Sequence, residues 1–160
     1  MTVRLWRIAT DTPDYTADDR SGAGAKVTGG RWNRKGTAML YTASSLSLAC
    51  LETLVHLNSL GLPLNRYVVR FDVPDALWQA AEVFLAAGFV GWDALPPGAV
   101  SLDFGDQWAR EVRSALLRVP STIVEEEENV LVNPLHPDFA QVVVTKVRRF
   151  LYDARFRAVS

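Results

Sequence analysis

Residues 38–57, "AMLYTASSLSLACLETLVHL", change periodicity partway through, and that change decides the fold. "AMLYTA" (38–43) is short and apolar and reads as a strand. The side chains that follow repeat at helical spacing, which predicts a helix from about Ser44 to Ser59. Ser44 or Ser45 supplies an N-cap oxygen, Gly61 lies just past the end, and Pro63 prevents continuation. Leu46, Cys50, Leu54 and Leu57, with Leu51 and Val55, cover most of the circumference, so the helix is expected to pack on more than one side.

Working outward, strands lie on either side of this unit. "VRLWRIA" (3–9) alternates, with Arg4, Trp6 and Ile8 on one face and Val3, Leu5 and Arg7 on the other. The arginine on that second, otherwise apolar face is unexplained by the alternation. Thr10 to Gly30 is rich in Asp, Gly and Thr and reads as a loop, long enough to be functional or mobile. "RYVVRFDV" (66–73) is a further strand. A helix is expected over 106–117, with Trp108, Val112, Ala115 and Leu116 on one face. "STIV" (121–124), "NVLVN" (129–133) and "QVVVTKVRRFLYD" (141–153) complete the strands. Strands gather at both ends with helices between them, which predicts an α+β fold rather than a parallel α/β sheet.

Composition limits what such a fold does. At 160 residues the chain fits one domain, 1–160, and 49% hydrophobic with 22% charged residues is an ordinary globular balance. A net charge of −1 predicts no broad nucleic-acid footprint. The basic cluster "KVRRF" (146–150) with Arg155 and Arg157 reads as a solvated strand face. The single cysteine, Cys50, forms no internal disulfide and reads as a small core residue. No apolar run reaches the roughly 18 residues of a membrane span, and the N-terminus lacks the apolar core of an export signal, so a cytoplasmic location is expected.

Within the helix one residue is out of place. Glu52 shares its stripe with Ser45, Ala49 and His56, a narrow polar strip on an apolar helix. A carboxylate there needs solvent in a cleft or a fixed partner, because unpaired burial costs several kcal/mol. A solvated Glu52–His56 pair and a functional carboxylate both satisfy that requirement. Upstream, "GGRWN" (29–33) sets Arg31 behind two glycines, where the chain can bend and present a planar donor fork to a phosphate or carboxylate. Tyr41 ends the strand that feeds the Glu52 helix, as a core residue or as a stacking surface. Downstream, "VPSTIVEEEENVLVNPLHPD" (119–138) holds Ser121, Asn129 and His136 among turn residues, with Glu125 to Glu128 as a solvated loop. The two histidines and one cysteine are too scattered for a zinc site, so no metal is expected. Ser121 lacks a G-x-S-x-G elbow, and no P-loop or Rossmann glycine pattern is present.

Taken together and in this order, "GGRWN", "YTASSLSLACLETLVHL" and "VPSTIVEEEENVLVNPLHPD" resemble the RES domain, the toxin half of bacterial RES–Xre type II toxin–antitoxin systems. The family's arginine falls on Arg31, its glutamate on Glu52 and its serine on Ser121; Tyr41 and Asn129 match as well. The resemblance implies a fold related to ADP-ribosyltransferases of the diphtheria-toxin kind. It also implies an enzyme that cleaves the nicotinamide–ribose bond of NAD⁺, by hydrolysis, phosphorolysis or ADP-ribosyl transfer. On that basis Glu52 stabilises the oxocarbenium-like state, Arg31 holds phosphate or ribose, Tyr41 stacks on nicotinamide, and Ser121 contacts ribose or orients Glu52. Arg7 becomes a second phosphate contact and Asn129 a further NAD⁺-binding residue. The implied partner is an Xre-type helix-turn-helix antitoxin, with a homodimer also expected. A ribonuclease toxin using Glu52, His56 and Arg31, and a non-catalytic partner-binding module, remain the alternatives.

Overall fold

The structure is a computed structural model that describes residues 1–57 and 61–156. The first strand, β1 (Thr2–Thr10), pairs along its whole length with β3 (Arg66–Pro74), from Thr2 opposite Pro74 to Thr10 opposite Arg66. On the outer side of β3 runs β7 (Val143–Phe150), an edge strand whose Lys146 pairs with Asp11 and whose Arg148 and Arg149 face solvent. Charge on an edge strand discourages pairing with another chain. Of the remaining basic residues, Arg155 pairs with Asp153, and Arg157 lies outside the described residues.

The second group of strands is β2 (Leu40–Ala43), β6 (Glu128–Val132), β5 (Leu116–Pro120) and the short β4 (Glu82–Val83). The full order is β4-β5-β6-β2-β1-β3-β7, antiparallel except for β4 with β5. β1 and β2 meet at one registered pair, Trp6 opposite Ala43, and diverge beyond it. The two groups are therefore splayed, and one apolar core fills the space between them. Leu5, Val69 and Phe71 from the first group meet Leu40, Leu116, Val130 and Val132 from the second. Burying each such side chain contributes roughly 1.5–3 kcal/mol, so this shared core ties the two groups together despite their thin seam. The chain forms a single compact α+β domain, as the sequence predicts.

Helices occupy the periphery. α2 (Leu46–Leu54) starts at Ser45, whose Oγ accepts the Leu48 amide at 3.1 Å, and ends before Val55. Asn58 and Ser59 of the longer expected helix lie outside the described residues. The all-round packing expected of α2 is corrected: only Leu48 and Ala49 are buried, while Leu51 is 39% and Val55 61% exposed. The Thr10–Gly30 loop contains a short helix, α1 (Ala23–Thr28), with no buried residue and hence no apolar stripe to reveal it. After the small α3 (Asp75–Gln79), the next helix, α4, spans Ala99–Arg110 rather than 106–117. It ends where Val112 takes a positive φ of 53°, and Ala115, Leu116 and Leu117 then enter the strand region. The strand expected at 121–124 is accordingly displaced to β5, ending at Pro120. Trp108 keeps its expected place in the core, its Nε1 donating to Ser114 Oγ at 2.9 Å.

Candidate active site

Because β1 and β2 part after Trp6 and Ala43, a cleft of about 580 Å³ opens along their seam. The splaying also resolves the misplaced arginine of β1. Arg7 lines this cleft instead of the apolar core, beside Tyr41, Thr42 and Ala43 of β2. Glu52 enters from α2, Arg31 from the turn before β2, and Asn129 from β6.

The carboxylate of Glu52 is held on one side. Ser121 Oγ and Asn129 Nδ2 each donate to its Oε1 at 2.7 Å. Charge-assisted bonds of this kind fix the carboxylate firmly. Its Oε2 accepts no hydrogen bond from the described residues, and Glu52 lines the cleft. Ser121 itself is fully buried and does not line the cleft. Its Oγ also accepts the amides of Ile123 and Val124 at 3.0 and 3.1 Å, so it locks the turn after β5 to the Glu52 carboxylate. Among the described residues its side-chain partner is Glu52 and not a histidine, which is not the geometry of a serine nucleophile.

The same cleft is lined by two arginines of a different character. Among the described residues Arg7 has one long bond, Nη1 to the Tyr41 carbonyl at 3.4 Å, and its buried Nε has no partner there. Burial depresses its affinity for a proton, and the charge of Asp19 only partly offsets this. Arg31 donates from Nη1 to the carbonyls of Trp92 and Ala94, at 3.2 and 2.8 Å. Partial burial lowers its pKa too, opposed by the charges of Asp93 and Glu52. Neither guanidinium forms an ion pair among the described residues. Unpaired cations in a concave site favour an anionic ligand.

The bend of "GGRWN" explains how Arg31 arrives there. Gly29 has φ of 72°, which suits glycine, and a Cβ on Gly30 would lie 2.6 Å from the Tyr41 hydroxyl. That hydroxyl donates to Asn33 Oδ1 at 2.5 Å and accepts the Trp32 amide at 3.1 Å. Burial pushes the Tyr41 pKa far above the ordinary tyrosine range. Tyr41 thus stays neutral, with its hydroxyl committed to the turn and its ring lining the cleft.

Of the residues singled out in the sequence, Arg7, Arg31, Tyr41, Glu52 and Asn129 line one cleft, and Ser121 stands behind it. His56 lies at the same cleft, exposed. His136 does not; its Nδ1 accepts the Asp138 amide at 3.1 Å and caps a short 3₁₀ turn. Glu128 departs from the solvated acidic run: it opens β6 and holds Arg118 through two bonds of 2.7 and 2.8 Å. Asn33 was not singled out, although it belongs to the "GGRWN" box. Fully buried, it donates to the carbonyls of Ala25, Arg34 and Thr37 while accepting from Tyr41. Among the described residues no group of His, Cys, Asp and Glu has the arrangement of a metal site, and no helix is long and apolar enough to cross a membrane.

Comparison with known proteins adds to this geometry. The RES domain family matches residues 4–153. A protein of Sphingobium sp. (strain YBL2) named Prs ADP-ribosylating toxin is 60% identical, over 97% of this chain and 97% of its own length. Proteins named Toxin Res from Yersinia enterocolitica and Pseudomonas putida are 36% and 35% identical, over 89% and 94% of this chain and 93% and 97% of their own lengths.

Proposed function

The chain belongs to the RES domain family, and from that premise we propose that it is a toxin that binds NAD⁺ in the cleft and cleaves the nicotinamide–ribose bond. One observation carries the reading: a carboxylate that, among the described residues, is held through Oε1 and not Oε2, in the same cleft as two arginines that have no acidic partner among those residues. A dinucleotide matches that division, because its diphosphate is anionic while the broken bond becomes cationic.

In this reading Arg7 and Arg31 hold the diphosphate, and the Tyr41 ring stacks on nicotinamide. Glu52 faces the ribose. As the C–N bond breaks, its electron pair leaves with nicotinamide, which departs neutral, and positive charge develops on the ribose carbon and ring oxygen. A fixed carboxylate stabilises that charge more than it stabilises the ground state. The acceptor then bonds to the same carbon and releases its proton. Ser121 and Asn129 act through Glu52, keeping it aimed without reorganisation during the reaction. The splayed strands around a cleft support likeness to the diphtheria-toxin-like ADP-ribosyltransferases, and residues 1–160 are read as one such domain.

The 60% identical relative bears a name that specifies ADP-ribosylation, which favours transfer to a protein acceptor over hydrolysis or phosphorolysis. The natural setting of such an enzyme is the cytoplasm of the cell that makes it, with an Xre-type antitoxin restraining it and a homodimer as its own assembly. Incubating the purified protein with NAD⁺ and its acceptor candidates, with and without inorganic phosphate, tests this. Release of nicotinamide with ADP-ribose on protein is expected. RNA loss without nicotinamide release would favour the ribonuclease alternative, and neither activity a non-catalytic module.

A further inference from the structure

Both N–H groups of Arg31 Nη1 are engaged by backbone, one by Trp92 O and one by Ala94 O. Its Nε and Nη2 make no hydrogen bond with the described residues, and the side chain lines the cleft. A guanidinium is planar, so fixing one nitrogen through two acceptors also fixes the direction of the opposite edge. Arg31 therefore offers the cleft its Nε–Nη2 edge, the pair that meets a phosphate or carboxylate side-on. What holds the two carbonyls in place lies far along the chain. Trp92 stacks on Trp32, centroids 6.1 Å apart at 27°, and both belong to an aromatic cluster with Phe84, Phe89 and Phe104. Trp32 is the residue directly after Arg31. The same stack thus sets the position of the guanidinium's backbone and of its acceptors.

We propose that Trp92 is a positioning residue for Arg31: its stacking on Trp32 holds the 92–94 carbonyls that orient the guanidinium toward the anionic part of the dinucleotide. The inference rests on the reading of Arg31 as an NAD⁺-binding group. The Trp92 side chain does not line the cleft; it meets the cleft through two neighbours that do, Trp32, on which it stacks, and Arg31, whose guanidinium its carbonyl accepts.

The test is NAD⁺ affinity by calorimetry, on the full chain carrying Glu52→Gln to suppress turnover. Trp92→Ala is expected to weaken NAD⁺ roughly 10-fold, and Trp92→Phe, which keeps an aromatic stack, to stay near the parent value. Arg31→Ala should weaken NAD⁺ by at least as much, and adding Trp92→Ala to it should cost nothing more, because the positioned group is gone. A merely structural role would not give that non-additivity. Trp92→Leu, which preserves apolar bulk, serves the same comparison if the alanine variant does not fold. Full additivity of the two changes, or unaltered affinity in both Trp92→Ala and Trp92→Leu, overturns the proposal while leaving the site reading intact. Unaltered affinity in Arg31→Ala overturns the site reading itself.

Discussion

The two walls of the cleft are built on opposite plans. On one, Glu52 is satisfied by side chains from two distant segments, Ser121 after β5 and Asn129 in β6, so its geometry is complete without a ligand. On the other, Arg7 and Arg31 lean on neutral carbonyls and have donors that no described residue accepts. In the proposed function the first set, the acidic wall, is preorganised for chemistry, whereas the second, the basic wall, completes its bonds with an anion. Such a division separates binding from catalysis, since a group that acts mainly in the transition state must already be in place, while a binding group can complete its bonds with the ligand.

The contrast can be broken most severely on the acidic wall. Removing both donors to Oε1, in Ser121→Ala with Asn129→Ala, is expected to lower kcat for nicotinamide release by roughly 10²–10³-fold with little change in NAD⁺ affinity, measured by steady-state kinetics and calorimetry. A fall in affinity with unchanged kcat would show the walls to be wrongly assigned. On the basic wall, Arg7→Met exchanges a buried, incompletely bonded cation for an apolar chain of comparable length. It should weaken NAD⁺ yet stabilise the free protein by roughly 1 kcal/mol, read by denaturant unfolding, because the desolvated group is removed. Loss of stability would mean that Arg7 is satisfied without a ligand.

Tyr41 gives a smaller effect. Its folded-state pKa is raised by burial, so the unfolded chain loses this proton first as pH rises. Its contribution to stability is therefore fully present below the ordinary tyrosine pKa of about 10 and declines above it. In Tyr41→Phe this alkaline decline should diminish, and unfolding measured across pH 8 to about 11 checks it. The parent and variant curves staying parallel would contradict the buried, neutral hydroxyl.

The sequence made the site more legible than the packing around it. β1, β3 and β6 were readable because their alternation or apolar runs match a sheet with buried faces, and Ser45 marked the start of α2. The offset of α4 and β5 has a local cause: "SALL" (114–117) continues a helical pattern, but the chain reverses at Val112 and carries Leu116 and Leu117 into the sheet. Apolar residues at helical spacing did not reveal which side packs, because Leu51 on α2 and Val55 just past its end stay exposed while the sheet covers one face of the helix. Arg7 was visible as an anomaly of strand alternation, and the parting of β1 from β2 accounts for it. Trp92 carried no signal at all, since its role depends on stacking with a residue 60 positions away.

The most direct test of this division of labour is Glu52→Gln, which keeps the hydrogen-bonding shape and removes the charge. Nicotinamide release and NAD⁺ affinity should be measured on the same preparation. Release is expected to fall by roughly 10³-fold while affinity stays within about threefold. Release at the parent rate would contradict that expectation, because the fixed carboxylate would then not be what stabilises the breaking bond.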